Sequence, residues 1–385
     1  MIQKIKISLH KTSYFLKKKI SKKYFNFDRE YKKWLNLGKP IELSCEKEFK
    51  FNKERNSISF LVPGVNISGG IAVIFQHANR LKSNGYNVKI YSLSKINNFE
   101  WFPNQGVEVV SFENFEKEFY SKNFDILIAT GYSTSFSVAM SKAKKKFYFV
   151  QSDESRFFQK NKKLCKIIKE SYKIEFQYVT EAKWIKKWLE DELGHTAHYV
   201  PNGIDLEVFK KVDPIEPKGE KTRILIEGAI NIPYKGMQDA YNAIKDLDCE
   251  IWIVSNNGKP KKGWRYDKFF ENVPYSEMNK IYSSCDIFLK MSRIEGFFGP
   301  PMEAMACGCA VVVGRVTGYD EYIINGENAL VVERGDIIGA KNVIQRLIED
   351  APLRNKIIDG GHRTVKEWGW EKSFDHLKKI FENIK

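Results

Sequence analysis

Arg293-Ile-Glu-Gly-Phe-Phe-Gly-Pro-Pro-Met-Glu-Ala-Met-Ala-Cys-Gly-Cys309 is the densest run of potentially reactive side chains in the sequence. Two carboxylates, Glu295 and Glu303, are separated by seven residues. Gly296, Gly299, Pro300 and Pro301 forbid one continuous helix through that interval. Glu295 is therefore expected in a loop after the apolar stretch 286–291. A helix is expected to begin near Pro301, because proline is tolerated in a first turn. Glu303 would then lie in that first turn, where the helix dipole favours a carboxylate. Backbone amides at the same place can hold an anion such as a diphosphate. Carboxylates accept hydrogen bonds from hydroxyls and amides take phosphates, so the set suits a sugar nucleotide. The same residues also read as a Gly/Pro turn with two solvent-facing acids.

Elements of regular length must position these residues. From residue 57 onward, short β-branched runs alternate with amphipathic stretches. Strands are expected at 58–63, 88–93, 125–130, 146–150 and 174–180, with helices at 69–83, 133–143 and 181–193. The turn-forming Val200-Pro-Asn-Gly-Ile-Asp205 and a proline-containing stretch at 213–218 then interrupt the pattern. It restarts with strands at 223–227, 250–255, 286–291, 310–313 and 329–332. Helices are expected near 236–246, 275–284, 301–307, 318–325, 336–349, 353–367 and 371–384. Strand–helix alternation with buried strands implies parallel sheets covered on both faces. The expected architecture is α/β, with an N-terminal arm at 1–50 and two doubly wound, Rossmann-like domains at 51–200 and 201–368. A last helix at 369–385 is able to cross back to the first domain. Ligands of such domains bind at the carboxyl ends of the strands.

The carboxylate run closely resembles the E-x7-E signature of family-4 retaining glycosyltransferases, which have the GT-B fold. The family pattern is roughly E-G-F-G-x-P-P-x-E-A-M-A-x-G. Here it reads E-G-F-F-G-P-P-M-E-A-M-A-C-G, with the second glycine displaced to Gly299. The resemblance implies that Glu295 faces the donor sugar, that Glu303 grips the ribose hydroxyls, and that the amides of Gly296, Phe297 and Phe298 hold sugar or phosphates. Ser68-Gly-Gly-Ile71 looks like the family's glycine-rich loop, in which Gly69 and Gly70 let backbone approach the donor at a helix N-terminus. Val200–Asp205 matches the family's interdomain stretch. Lys235-Gly236 resembles the diphosphate-binding lysine, a point cation for the leaving nucleotide. Taken alone, that lysine also reads as solvated surface.

Two departures stand out. Gly228-Ala229 replaces the family's Gly-Arg, so Arg293 or Arg223 is the candidate substitute, with Arg293 placed among the donor-binding residues. The family often has a histidine facing the donor sugar where this chain has Gln151, which can donate and accept hydrogen bonds but cannot titrate. Related surface-polysaccharide transferases resemble this chain in a V-Q-x-D/E stretch here. That makes Asp153 and Glu154 candidates for orienting the acceptor, against a reading as a capped turn.

The overall charge is unusual: Lys+Arg 63 against Asp+Glu 48 gives +15. Residues 1–40 hold twelve Lys/Arg and two acids, so this short segment carries +10 and the rest of the chain only +5. Ile2, Ile5, Leu9, Leu16, Ile20 and Phe27 recur there at helical spacing. Such an arm can lie on the anionic inner leaflet of a membrane, or pack on the body with a solvated lysine face. No run is apolar enough for a signal peptide or spanning helix, and the six scattered cysteines suit a reducing compartment. A cytoplasmic, peripheral location is expected.

The leading expectation is a retaining, metal-independent hexosyl- or deoxyhexosyltransferase without cofactor. It would carry sugar from a nucleotide-diphosphate donor to a hydroxyl of a glycan or glycolipid in cell-surface polysaccharide assembly. A nucleotide-sugar epimerase of the same fold is one alternative. A membrane- or nucleic-acid-binding module is another, although no nucleic-acid signature is present. Cys307-Gly-Cys309 lacks a second pair to complete a metal site, no histidine cluster occurs, and Asp246-Leu-Asp248 reads as surface.

Overall fold

The computed structural model describes residues 25–37, 49–96, 101–102 and 105–384. Ile2, Ile5, Leu9, Leu16 and Ile20 of the arm lie outside the described residues, as does Cys45.

The first domain runs α1 (Phe27–Asn36), β1 (Ser57–Val62), α2 (Gly69–Ser83), β2 (Asn87–Ser92), β3 (Glu108–Ser111), α3 (Phe115–Ser121), β4 (Asn123–Ala129), α4 (Tyr132–Met140), β5 (Lys142–Val150), α5 (Lys162–Ser171), β6 (Gln177–Thr180), α6 (Lys183–Asp191) and β7 (Ala197–Tyr199). Its strands form one parallel sheet in the order β3-β2-β1-β4-β5-β6-β7. β1, Ser-Ile-Ser-Phe-Leu-Val, is buried at every position but its first, as a strand covered on both faces requires.

The second domain runs β8 (Arg223–Glu227), α7 (Met237–Ile244), β9 (Glu250–Ser255), β10 (Lys268–Glu271), α8 (Met278–Ser283), β11 (Ile287–Lys290), α9 (Gly299–Ala306), β12 (Ala310–Gly314), β13 (Leu330–Val332), α10 (Ile337–Glu349) and α11 (Ala351–Lys366). Its parallel order is β10-β9-β8-β11-β12-β13. Both sheets reverse direction of growth beside their first strand, between β1 and β4 and between β8 and β11. A crevice opens at the carboxyl ends of such a pair. The expected pair of doubly wound domains is what the chain forms.

The chain crosses between domains twice. The linker after β7 leads out, and α12 (Trp370–Glu382) leads back. Leu377 and Phe381 of α12 join the core of the first domain, with Phe381 edge-on to Phe147 at 5.8 Å. Burying each such side chain contributes about 1.5–3 kcal/mol. The two crossings touch: the Ile204 N–H donates to the Trp368 carbonyl at 2.7 Å. A Cβ on Gly203 would lie 2.6 Å from the Trp370 backbone nitrogen, so only glycine fits there.

Several elements differ from expectation. The helix expected at 318–325 is only a 3-10 turn, Tyr319–Glu321, because Gly318 enters it at φ +80° and Tyr322 leaves helical geometry at φ −145°. β3, β7 and β10 have no counterpart among the expected strands. They are edge strands, half exposed, without a continuous apolar signal. The described part of the arm is a docked helix. Asn26 caps α1 by accepting the Arg29 N–H at 3.0 Å, and Phe27, Tyr31 and Trp34 pack on the first domain. Phe27 meets Tyr132 edge-on at 5.2 Å. Glu30 is fully buried beneath, paired with Lys33 at 3.5 Å. Here the arm packs on the body, because its aromatic side finds the Phe136 face of α4. Among the described residues no helix is long and apolar enough to cross a membrane.

Candidate functional site

The loops after β8 and β11 meet at the switch point of the second sheet. The first contains the 3-10 turn Pro233–Lys235 and then Gly236 at φ +66°. A Cβ on Gly236 would lie 1.8 Å from the Met291 carbonyl oxygen, so glycine lets the two loops touch. This contact sets the Lys235 Nζ 2.9 Å from both Glu295 oxygens. The side chains are 29% and 11% exposed. Burial pushes the Glu295 carboxyl up, but Lys235 and Lys290 outweigh it and hold it below the usual carboxylate range. Burial pulls the Lys235 ammonium down and Glu295 overcompensates, leaving it raised.

Beside this pair lies a second charged group. Lys290 ends β11 with its side chain buried, and its Nζ donates to the Glu227 carboxylate at 2.5 Å and to the Glu227 carbonyl at 3.0 Å. Glu303 is half-buried on α9 and accepts the Tyr282 hydroxyl at 3.2 Å. Burial, with the Glu227 charge, pushes its carboxyl up to about 7. One expectation is corrected here. α9 begins at Gly299, so Glu303 sits beyond the first turn, outside the strongest reach of the dipole. The first three residues of α9 supply no unpaired N–H either. Pro300 and Pro301 have none, and Gly299 donates to the Phe297 carbonyl at 3.2 Å.

The first domain presses on the loop after β11. Gln151 follows β5, and a Cβ on Gly296 would lie 1.8 Å from its carbonyl oxygen. A Cβ on Gly70 would lie 2.9 Å from the Gln151 Oε1. Gly70 in the first turn of α2, Gln151 and Gly296 thus converge from both domains, while Gly69 has open space beside it. Ser68 caps α2 by accepting the Ile71 N–H at 3.2 Å. The Trp184 indole N–H donates to the Gly296 carbonyl at 2.8 Å. The Phe297 N–H donates to Glu181 at 3.1 Å, so this amide, implied to hold donor, already has a carboxylate on it. Glu181 also accepts from Asn202 at 2.9 Å, and burial pushes its carboxyl up to about 8. Phe298 is fully buried in the second core and its carbonyl accepts the Tyr322 hydroxyl.

The two candidate arginines do different things. Arg223 begins β8, at the sheet edge opposite the switch point, and is buried against Glu250 at 2.6 Å and the Ser284 carbonyl at 2.8 Å. It cannot serve a phosphate in the cleft. Arg293 is half exposed and directs Nε and Nη2 to Asp239 on α7, at 3.0 and 2.6 Å. A third arginine, Arg156, enters from the first domain: it donates to the Thr317 hydroxyl at 3.0 Å, and Thr317 donates to the Glu295 carbonyl at 2.9 Å.

The structure places Asp153 as the cap of the 3-10 turn Glu154–Phe158, accepting from the Ser155 N–H at 3.0 Å. Glu154 accepts the Tyr132 N–H at 2.7 Å and the hydroxyls of Tyr148 and Tyr172, each at 3.2 Å, and burial pushes it up to about 7. Both are tied into the first domain at the cleft edge. Asp248 is surface, paired with Lys221. Cys307 and Cys309 are buried, and no cluster of three metal-ligating side chains occurs among the described residues.

Lys290, Glu227, Glu181, Trp184 and Arg156 escape the sequence reading. Only Lys290 had a signal, a lone cation ending an otherwise apolar strand. Glu227 meets it from the end of the neighbouring strand β8, and Glu181, Trp184 and Arg156 reach the site through interdomain contact, which spacing does not encode.

Residues 267–364 match the family model described as "Glycosyl transferases group 1". An uncharacterized glycosyltransferase of Methanocaldococcus jannaschii, MJ1178, is 27% identical over 211 residues, covering 53% of this chain and 58% of that protein. The capsular polysaccharide biosynthesis glycosyltransferase CapM of Staphylococcus aureus is 32% identical over 91 residues, 24% of each chain. The chain spans little more than half the length of curated relatives such as MJ1178. Among solved structures, Anabaena HepE in complex with UDP-glucose superposes with TM-score 0.72 at 13% identity, covering 85% of this chain and all of that one. Sheet order, paired domains and these likenesses agree: the chain has the GT-B fold and is similar to the group 1, family-4 glycosyltransferases.

Proposed function

We propose that the protein is a retaining glycosyltransferase. It takes a sugar from a nucleotide-diphosphate donor and passes it to a hydroxyl of a glycan or glycolipid in cell-surface polysaccharide assembly. One observation carries the reading: Lys235 and Glu295 are paired at the switch point of the second sheet, directly across from Gln151 and Gly70 at the carboxyl edge of the first. In the proposed reaction the donor diphosphate separates this pair. Lys235 then neutralises charge developing on the leaving phosphate, and each such charge-assisted contact contributes about 1.5–3 kcal/mol. Glu295, released from the lysine, faces the sugar ring as it becomes oxocarbenium-like. The leaving phosphate oxygen takes the proton of the acceptor hydroxyl, which enters on the same face, so no enzyme nucleophile and no metal is required. Glu303 meets the ribose hydroxyls, and Gln151 orients the sugar without titrating.

CapM and HepE support the substrate class, the first by its capsular polysaccharide role and the second by its bound UDP-glucose. A cytoplasmic, membrane-peripheral position, with residues 1–24 on an anionic leaflet, belongs to the same proposal. The test is a donor panel of UDP, GDP and dTDP sugars scored by thermal shift, since a ligand that binds only the folded cleft raises Tm. A matching nucleotide is expected to stabilise the chain. Wild-type turnover by Lys235→Ala or Glu295→Ala would refute the assigned roles.

A further inference from the structure

We propose that Glu181 and Trp184, with Arg156 acting through Thr317, are positioning residues by which the first domain fixes the peptide groups on either side of Gly296, the backbone that presents Glu295 to the cleft. The inference rests on the reading of Glu295 as the group that faces the donor.

The loop from 292 to 298 is anchored in its own domain at Arg293, whose N–H donates to the Tyr234 carbonyl at 2.7 Å, and at the Glu295 carboxylate through Lys235. Gly296 contributes backbone freedom, and a neighbouring glycine, Gly299, opens α9. The two peptide groups flanking Gly296 find partners outside the loop. The Glu295 carbonyl accepts the Thr317 hydroxyl at 2.9 Å, and Arg156 of the first domain donates to that hydroxyl at 3.0 Å. The Gly296 carbonyl accepts the Trp184 indole N–H at 2.8 Å. The Phe297 N–H donates to Glu181 at 3.1 Å. Trp184 and Glu181 both belong to the first domain. Arg156 and Trp184 are themselves coupled, the guanidinium lying 5.1 Å over the indole ring.

Glu181 is built to stay where it is. It is only 4% exposed, and its second oxygen accepts the Asn202 side chain at 2.9 Å. Burial and the charges of Glu321 and Glu295 push its pKa up, and the N–H groups of Asn202 and Phe297, one on each oxygen, oppose that rise because a carboxylate accepts both bonds. Gly296 cannot retreat: a Cβ there would meet Gln151 on one side, and a Cβ on Gly318 would lie 2.1 Å from the Gly296 carbonyl on the other. Separating the domains would therefore remove Glu181, Trp184 and Arg156 together, leaving the loop with Thr317 alone among these partners.

The experiment compares wild type with Glu181→Ala, Glu181→Gln and Trp184→Phe in the full chain. Amide hydrogen exchange is read for the peptide 292–299, and kcat and KM for hydrolysis of UDP-glucose, GDP-mannose and dTDP-rhamnose. Faster exchange in that peptide is expected for Glu181→Ala and Trp184→Phe, with exchange in the second sheet unchanged. For Glu181→Ala, kcat should fall about 10- to 100-fold, the effect of one buried donor losing its acceptor, with KM within about threefold. Glu181→Gln, which keeps an acceptor for Phe297, should return most of kcat. Unchanged exchange at 292–299 in both Glu181→Ala and Trp184→Phe overturns the inference. So does an equal loss of kcat in the Ala and Gln variants, accompanied by a lowered Tm. If wild type turns over none of the three donors, the reading of Glu295 loses its support, while the exchange data still decide whether Glu181 and Trp184 hold the loop.

Discussion

Gly296 of the second domain lies against Gln151 of the first so closely that a Cβ would sit 1.8 Å from the Gln151 carbonyl oxygen. The carboxylate next in sequence, Glu295, is therefore presented at a seam where the two domains touch through backbone. Gly296→Ala is expected to hold the domains apart. Turnover should fall at least about 100-fold, since misplacing a reacting group by an ångström has that effect. The variant should remain folded, with a larger radius of gyration in small-angle scattering. Wild-type turnover in this variant would show that the contact is not needed.

Lys235 and Glu295 depend on each other before any ligand arrives. Removing either leaves a largely buried charge without its partner, at a cost of about 1–3 kcal/mol. The double variant Lys235→Ala/Glu295→Ala should lose less stability than the sum of the two single variants. Urea unfolding of the four proteins measures this coupling, and strict additivity would contradict it.

Glu303, raised to about 7, gives stability a definite pH dependence. Between the ordinary carboxylate range and about pH 7 the folded chain keeps a proton that the unfolded chain releases, so stability falls as pH rises through that window and levels off above it. Glu181 and Glu154 add to the same trend. Glu303→Gln should flatten the slope between pH 5 and pH 7.5 in urea titrations. A slope as steep as that of wild type would mean that Glu303 titrates normally.

The proposed recognition of ribose by Glu303 makes a second demand on the same proton. A carboxylate accepts two hydroxyls better than a carboxylic acid does. Affinity for the matching nucleotide is expected to rise severalfold from pH 6 to pH 8 by calorimetry, and Glu303→Gln should abolish that rise. A pH-independent affinity in wild type would separate Glu303 from the ribose.

Deleting residues 1–24 tests the arm apart from the docked helix α1. Sedimentation with anionic vesicles should drop sharply on deletion, and raising salt should weaken binding of wild type, because the attraction is electrostatic. Equal sedimentation of the two proteins would leave the arm without a membrane role.

How far the sequence could be read depended on where the information lay. The strands of the two sheet centres were legible because buried parallel strands are continuous apolar runs, as in Ser57–Val62 and Ala310–Gly314. Edge strands such as Lys268–Glu271 were not, since they bury too little to need such a run. Glu295, Lys235 and Gln151 were picked out by motif, and the fold brings them to one cleft. The first turn of α9 is misread from sequence because proline marks a helix start, while the chain already turns at Gly299. Glu181 and Trp184 carried no local mark. They matter through a contact more than a hundred positions away in sequence, and only the assembled domains reveal it.

The return of α12 has a practical consequence for dissecting this protein. Phe381 and Leu377 fill the core of the first domain from the far end of the chain. That domain is therefore discontinuous as a gene segment. A fragment ending after Tyr199 would leave an open apolar socket and should be insoluble, whereas the same fragment supplied with a separate 370–384 peptide has what it needs to close. Independent expression of the two halves calls for a circularly permuted design, in which α12 is joined ahead of β1 and the second domain stands free as one uninterrupted piece.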